Sequence, residues 1–389
     1  SFMAVNSLGA IWSCCSPDFG IESVVNRFEQ LNPDILLAHK RYSYNGKDYI
    51  QEKKIKELQI KLPSIKKTIV FDSTFDSWNL NSNYWIDFEF VSVKFDHPIW
   101  VLFSSGTTGK PKAITHGTGG MLLEQYKSHS LHQNIMNGDR FFWNTTTGWM
   151  MWNYAIGSFL CGATLCLYDG SANFPDIGVQ WRFAKDAKIN HFGNGSPMFI
   201  ASMKQNCKDV SNENLKFIKT IGATGSPLSI EAFKWLQKKL PSTQIISLSG
   251  GTDVCSAFIG GCPKLPVYAG FLQCNMLGAS IKAWDENRKS IKGKTGELVI
   301  TEPLPSMPVF FWGDENFKKY NDSYFAEDQE VWTHGDWIFI DELRGVLMQG
   351  RSDATLNRNG IRIGTSEIYS VLDGIKEIKD SLIIDLNID

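Results

Sequence analysis

The sequence predicts an α/β fold. It reads as a large N-terminal domain of βα-type sheets with helices and a β-rich subdomain, followed by the start of a small α+β C-terminal domain. Three observations carry this. Strand-like and helix-like stretches alternate from about Ile35 to Leu248. Two Gly-rich loops follow two successive strands joined by a single helix. From Ile281 onward, short strand patterns succeed one another with turns between them.

Length and composition set the outer bounds. A chain of 389 residues is long for one domain. With 43% hydrophobic and 21% charged residues it belongs with ordinary globular proteins. A net charge of -2 supplies no basic field, so nucleic acid and anionic lipid are disfavoured as partners. The eight cysteines show no CxxC spacing, and no His lies near Cys255, Cys262 or Cys274, which argues for reduced structural thiols rather than zinc. No signal peptide is visible, and the cytoplasm is the expected compartment.

Taken in order, the chain starts inside a small-residue apolar helix closed by Ser16 and Pro17. Residues 21–31 read as a helix through Val24, Val25, Phe28 and Leu31. Short strands at 35–38 and 68–71 flank a charged helix at 49–62, an alternation whose front is expected to be missing. Strands at 99–103 and 113–115 bracket a polar loop, and helix 119–133 and strand 141–143 follow. Residues 149–168 are uncharged and long enough to span a bilayer. Asn153, Gly157, Ser158 and Gly162 interrupt them, so they read as a core helix and a strand at 165–168, with no membrane span.

Helix 180–188, a strand end at 191–193 and helix 197–205 lead to the most regular unit. There strand 217–221 runs into Gly222-Ala223-Thr224-Gly225-Ser226-Pro227. Ser229 then caps a helix with Ile230, Phe233, Leu236 and Leu240 on one face. Strand 244–248 leads into Ser249-Gly250-Gly251-Thr252-Asp253. If the two strands are parallel, both loops emerge at the carboxyl edge of the sheet, where α/β folds bind ligands. Beyond them lie strands at 281–284, 296–301, 331–333, 337–341 and 346–349. The Pro- and aromatic-rich 304–314 reads as a packed loop without chemistry, and 350–353 as a polar interruption. Residues 355–389 read as a hairpin, a helix at 365–372 and a strand at 382–385.

The loop between 99–103 and 113–115 holds Ser104, Ser105, Gly106, Thr107, Thr108, Gly109, Lys110, Pro111 and Lys112. Its glycines let successive N–H groups converge on one point, with hydroxyls and two ammonium groups around it. An oligophosphate suits such a loop, and a solvated turn is the alternative. It is no Walker A loop: two residues separate its glycines, and Pro111 follows the Lys.

FSSGTTGKPKAITH, GATGSP, SGGTD, THGDW (333–337) and GRSDATLNRNGIRIGTSEI (350–368) stand in the order seen in acyl-adenylate-forming, AMP-binding enzymes, and the chain resembles that superfamily throughout. Within it, SLGAIWSCCSPDFG, TTTGWMMWNY and SGGTD are similar to the acetoacetyl-CoA synthetases more than to the acetyl-CoA synthetases. The resemblance implies a two-step ligase reaction with ATP, Mg²⁺ and coenzyme A. Acetoacetate becomes acetoacetyl-AMP with release of pyrophosphate, and the coenzyme A thiol then displaces AMP. Another short- or medium-chain acid, or a non-catalytic nucleotide-binding protein, is the alternative.

Residue by residue, it implies that the loop from Ser104 to Lys112 holds the β,γ-phosphates. Gly225, Ser226 and Pro227 match an adenine-contacting loop within an ATP site that also takes in Ser249, Gly250 and Gly251. Thr252 meets a phosphate, and Asp253 stands where relatives usually carry a Mg²⁺-ligating Glu. Asp336 accepts the ribose hydroxyls, Arg351 is a ribose and phosphate arginine, and Asp353 is a hinge between a large domain at 1–352 and a small one at 353–389. Arg362 matches a loop that swings between the half-reactions, and Asn359 and Gly360 a coenzyme A contact. Gly250, where acetyl-CoA synthetases have Trp, is expected to open the acyl pocket beside Trp149, Met150 and Met151, with core packing the alternative for the two Met residues. The family's catalytic Lys lies beyond Asp389, and neither Lys376 nor Lys379 takes its place. The chain is therefore expected to be a fragment of a longer enzyme.

Overall fold

The computed structural model describes residues 1–71, 89–104 and 110–352, the backbone of strands Leu356–Arg358 and Ile361–Ile363, and positions 372, 375, 378, 381 and 382. At its centre is a five-stranded sheet, ordered Gln244–Ser247, Thr220–Thr224, His191–Gly195, Arg140–Trp143, Thr164–Leu165. Every neighbouring pair in it is parallel. The two Gly-rich loops therefore leave the same edge, as their spacing predicts.

Side chains alternate across this sheet with the strand period of two. In Arg140–Trp143, Phe142 joins a core with Trp181, Phe192, Phe199 and Leu236, built by helices Val179–Asp186, Ser196–Lys204 and Ile230–Lys239. Phe141 and Trp143 join a second core with Trp100, Met121, Met150, Met151 and Tyr154. The Trp143 indole reaches over the next two strands, His191–Gly195 and Thr220–Thr224. A Cβ on Gly193 would come within 2.0 Å of it and one on Gly222 within 2.6 Å, so only hydrogen fits at either position.

Strand Pro98–Ser104 turns back into Lys112–Gly117, and Phe310–Phe311 pairs with the outer side of that hairpin. The loop 304–314, predicted to be mere packing, thus supplies a strand beside Lys112. A second, antiparallel five-stranded sheet runs Ser290–Ile291, Ile281–Trp284, Thr295–Ile300, Trp332–Ile340, Val346–Arg351. The strands predicted at 331–333 and 337–341 are one, because Trp332–Ile340 crosses His334-Gly335 without leaving the ladder. Of the polar 350–353, Gly350 and Arg351 stay in the ladder, opposite Trp337 and Asp336, and the strand ends at Arg351.

Other boundaries move for local reasons. The first helix ends at Ser7, and Trp12 instead bridges to Trp100. The charged helix covers only Glu52–Lys61, because Arg41–Tyr44 and Lys47–Ile50 form a hairpin about Asn45-Gly46, both at positive φ as a two-residue turn requires. The strand predicted at 217–221 lies at Thr220–Thr224, and that at 165–168 shrinks to Thr164–Leu165. Ser229 caps its helix as expected, accepting from the Ala232 N–H at 3.2 Å. All eight cysteines are free. Among the described residues no helix is long and apolar enough to cross a membrane. The helix predicted at 365–372 and the strand at 382–385 fall outside the described residues except for positions 372 and 382.

Candidate active site

The carboxyl edge of the parallel sheet brings the predicted loops together. The Thr224 hydroxyl donates to the Leu248 carbonyl at 2.8 Å, tying the end of one strand to the start of the next loop. Ser196 donates to the Ser226 carbonyl at 2.6 Å, and Gly225, Ser226 and Pro227 are exposed beyond it. The Trp149 ring lies 3.8 Å from where a Cβ on Gly225 would stand. Trp149 thus borders the GATGSP loop.

Ser249–Gly251 is a strand rather than a loop, paired antiparallel with Ser256–Gly260. The turn between them carries Thr252 and Asp253. Lys112, at the foot of the hairpin, places Nζ 3.5 Å from Asp253 Oδ1, and the Tyr324 hydroxyl donates to the same oxygen. The Lys112 ammonium also lies 5.0 Å from the Tyr324 ring centroid and 5.7 Å from that of Phe311. Burial works to raise the Asp253 carboxyl. His334, Lys112 and the Tyr324 hydroxyl outweigh it and hold the group below the usual carboxylate value. Asp253 is therefore an anion at neutral pH, with a cation on one side.

A second cluster adjoins it. Asp336 and Arg351 sit opposite each other in the ladder, with Oδ1 and Nη1 3.7 Å apart. His334 Nε2 is 3.6 Å from Asp336 Oδ2, and its Nδ1 takes the Trp332 indole N–H at 3.3 Å. Burial lowers the His334 pKa, against the pull of Asp336 and Asp253. Glu297 Oε1 accepts from the Gly335 N–H and the Ser352 hydroxyl, each at 3.1 Å, while burial pushes its carboxyl up to about 7.

Lys112, Asp253, Asp336 and Arg351 are thus brought together by three sheets, with Thr252 on the same turn as Asp253. Ser104 stands opposite Lys112 in the ladder with a buried hydroxyl that has no partner among the described residues. Lys110 departs from expectation: its ammonium pairs with Glu29 at 2.7 Å. Ser105, Gly106, Thr107, Thr108, Gly109, Asp353, Asn359 and Gly360 lie outside the described residues. For Arg362 only the strand register, opposite Asn357, is described.

Gly250 requires a correction. A Cβ there would meet the Ser256 carbonyl oxygen at 2.0 Å and the Ala257 Cα at 2.5 Å. The side-chain direction is closed by the neighbouring strand, so the missing indole opens no space. Met150 and Met151 are buried with Leu248, Cys255 and Ala257 in one core, which fits the packing alternative. Gly250→Ala is expected to destabilise the protein by about 2 kcal/mol, since overpacking against backbone forces a strand to move. Thermal unfolding checks this; an unchanged midpoint would contradict the closed geometry.

Tyr324, His334 and Glu297 escaped the sequence reading. His334 stood inside THGDW, but Tyr324 and Glu297 reach the site only through the packing of strand Trp332–Ile340 on its neighbours. The family's Mg²⁺ fits one donor here: Asp253 is a hard oxygen anion, and no group of three or more His, Cys, Asp or Glu poised for a metal exists among the described residues. A single carboxylate with substrate phosphates completing the shell is a common Mg²⁺ arrangement.

This arrangement, a lysine hairpin facing a carboxylate turn beside the carboxyl edge of a parallel sheet, lies where α/β folds bind their ligands. The chain belongs to the AMP-binding enzyme family, whose model matches residues 1–308. It is similar to the acetoacetyl-CoA synthetase of Gallus gallus, with 39% identity covering 99% of this chain and 61% of that one. The acetoacetyl-coenzyme A synthetase of Rhizobium meliloti (strain 1021) is also 39% identical, over 98% and 61%. The solved acetoacetyl-CoA synthetase from Streptomyces lividans superposes with a TM-score of 0.93 at 39% identity, over 99% and 61%. An anthranilate CoA ligase in complex with anthranoyl-AMP shares the fold, with a TM-score of 0.82 at 20% identity over 96% and 68%. The chain thus spans about three fifths of the length of the curated relatives it matches.

Proposed function

We propose that this chain is the greater part of a cytoplasmic, ATP- and Mg²⁺-dependent acetoacetate:CoA ligase. The observation that carries the reading is the apposition of Lys112 and Asp253, 3.5 Å apart, in a chain 39% identical to acetoacetyl-CoA synthetases over nearly its whole length. In the first step a carboxylate oxygen of acetoacetate attacks the α-phosphorus of ATP, and the bond to the bridging oxygen of pyrophosphate breaks. In the second, the thiol sulfur of coenzyme A attacks the acyl carbon, AMP leaves, and the thiol proton passes to solvent. Nucleophile and triphosphate are both anionic in the first step, so the residues serve mainly to position and neutralise.

Lys112 and the loop of Ser104, Ser105, Gly106, Thr107, Thr108 and Gly109 hold the β,γ-phosphates, with Thr252 on a phosphate. Asp253 would hold Mg²⁺, which would supply charge neutralisation at the phosphates. Gly225, Ser226 and Pro227 receive the adenine, with Trp149 beside them. Asp336 takes the ribose hydroxyls and Arg351 lies over ribose and phosphate. The large domain ends at 352, Asp353 is the hinge, and Asn359, Gly360 and Arg362 serve the thioester half-reaction.

Acid-dependent pyrophosphate exchange on the full-length gene product, with acetoacetate, acetate, butyrate and hexanoate, tests the substrate. Acetoacetate should give the highest kcat/KM, by about tenfold over acetate, the discrimination expected of extra contacts in an acyl pocket. A preference for butyrate or hexanoate would reassign the enzyme to another acid.

A further inference from the structure

We propose that His116 is a positioning residue that locks the turn bearing Thr252 and Asp253 onto the strand bearing Lys112, so that the phosphate-binding cation and the metal-binding carboxylate are set by one element. The inference rests on the adenylating reading above. It begins with strand Lys112–Gly117, in which residues 112, 114 and 116 share a face. Lys112 meets the Asp253 carboxylate at 3.5 Å, Ile114 lies in the same core as Val254, and His116 Nε2 lies 2.9 Å from the Asp253 carbonyl oxygen. One strand face therefore touches Asp253 at both its side chain and its backbone.

The imidazole is committed to this contact. Its Nδ1 accepts the Trp100 indole N–H at 3.2 Å, so the proton sits on Nε2 and is donated to the Asp253 carbonyl. The ring is fully buried, and burial lowers its pKa to about 4, against hydrogen bonding to Asp253. Both ring nitrogens are therefore engaged by protein groups. The role of the ring is geometric.

The turn needs such a hold. Cys255 adopts a left-handed backbone, φ 45°, unfavourable for a residue with a Cβ and maintained only where surroundings enforce it. Two further side chains from the following helix grip the same turn. Gln125 Nε2 donates to the Cys255 carbonyl at 2.8 Å, and the Ser256 hydroxyl donates to the buried Glu124 carboxylate at 2.7 Å. Three consecutive holds, at 253, 255 and 256, come from residues 116, 125 and 124, all carried by the hairpin and the helix that continues it.

The test pairs His116→Phe, which keeps the ring and loses both nitrogens, with His116→Gln, which keeps an N–H donor. With folding confirmed by thermal unfolding, His116→Phe should lower kcat for pyrophosphate exchange about a hundredfold, the cost of a displacement near 1 Å, while the KM for the acid stays put. His116→Gln should recover most of the loss. A crystal structure of His116→Phe supplies a readout independent of activity: the separation of Lys112 Nζ from the Asp253 carboxylate should widen beyond 3.5 Å. An unchanged separation, or equal impairment in the two variants, would overturn the role. Absence of exchange in the wild-type full-length protein would instead overturn the adenylating reading, and the crystallographic comparison would still decide on His116.

Discussion

Asp253→Asn is expected to lower the rate of acid-dependent pyrophosphate exchange by about a thousandfold, while leaving the chain folded. Asn has the shape of Asp and can still accept the Tyr324 hydroxyl, so the stack of Tyr324 on Trp332, with centroids 3.5 Å apart, has no reason to move. What is lost is charge. Lys112 keeps its cation without the anion 3.5 Å away, and the cleft no longer presents a hard anionic oxygen to Mg²⁺. Asp253→Glu restores the charge on a longer stem and should recover activity in part. In a double-mutant cycle, Lys112→Met and Asp253→Asn should fall well short of additivity, because each removes a partner of the other. Full-length variants assayed by labelled pyrophosphate incorporation give the answer. A rate within about threefold of wild type would remove Asp253 from the metal role, since loss of a charged transition-state contact costs far more.

The parts of this site legible in the sequence are those that local chemistry dictates. Ser229 announces its helix, Gly225 marks a loop after a strand, and the run from Ile99 to His116 could only return on itself past Pro111. Where the reading failed, tertiary packing decided. The resemblance to acetyl-CoA synthetases, which have Trp there, makes Gly250 a missing wall, but its hydrogen is demanded by the Ser256–Ala257 backbone passing behind it. The loop 304–314 offered no pattern that would foretell Phe311 under the Lys112 ammonium. Tyr324 and Glu297 lie 71 and 55 residues from the groups they contact, Asp253 and Ser352, and no periodicity carries information across such separations. Trp332–Ile340 looked like two strands because His334-Gly335-Asp336 is polar; the polarity belongs to the cleft, while the backbone stays in the ladder.

Asp336→Asn is expected to raise the KM for ATP about a hundredfold with a far smaller change in kcat, because it weakens binding common to ground and transition states. On the proposed reading the Asp336 carboxylate accepts from both the ribose 2′- and 3′-hydroxyls, and hydrogen bonds to charged acceptors contribute about 1.5–3 kcal/mol each. Asn leaves one neutral acceptor and turns an NH₂ toward the other hydroxyl. The neighbours sharpen the effect: Arg351 at 3.7 Å and His334 at 3.6 Å both face the Asp336 carboxylate and lose its charge together. The discriminating measurement compares ATP with 2′-deoxy-ATP and 3′-deoxy-ATP. Wild type should penalise each deoxy nucleotide by about tenfold or more, the worth of one such bond, and Asp336→Asn should lose most of that penalty. A variant that tells ATP from its deoxy forms as sharply as wild type does would mean that the ribose lies against another group, and the second sheet would then position the nucleotide by Arg351 alone.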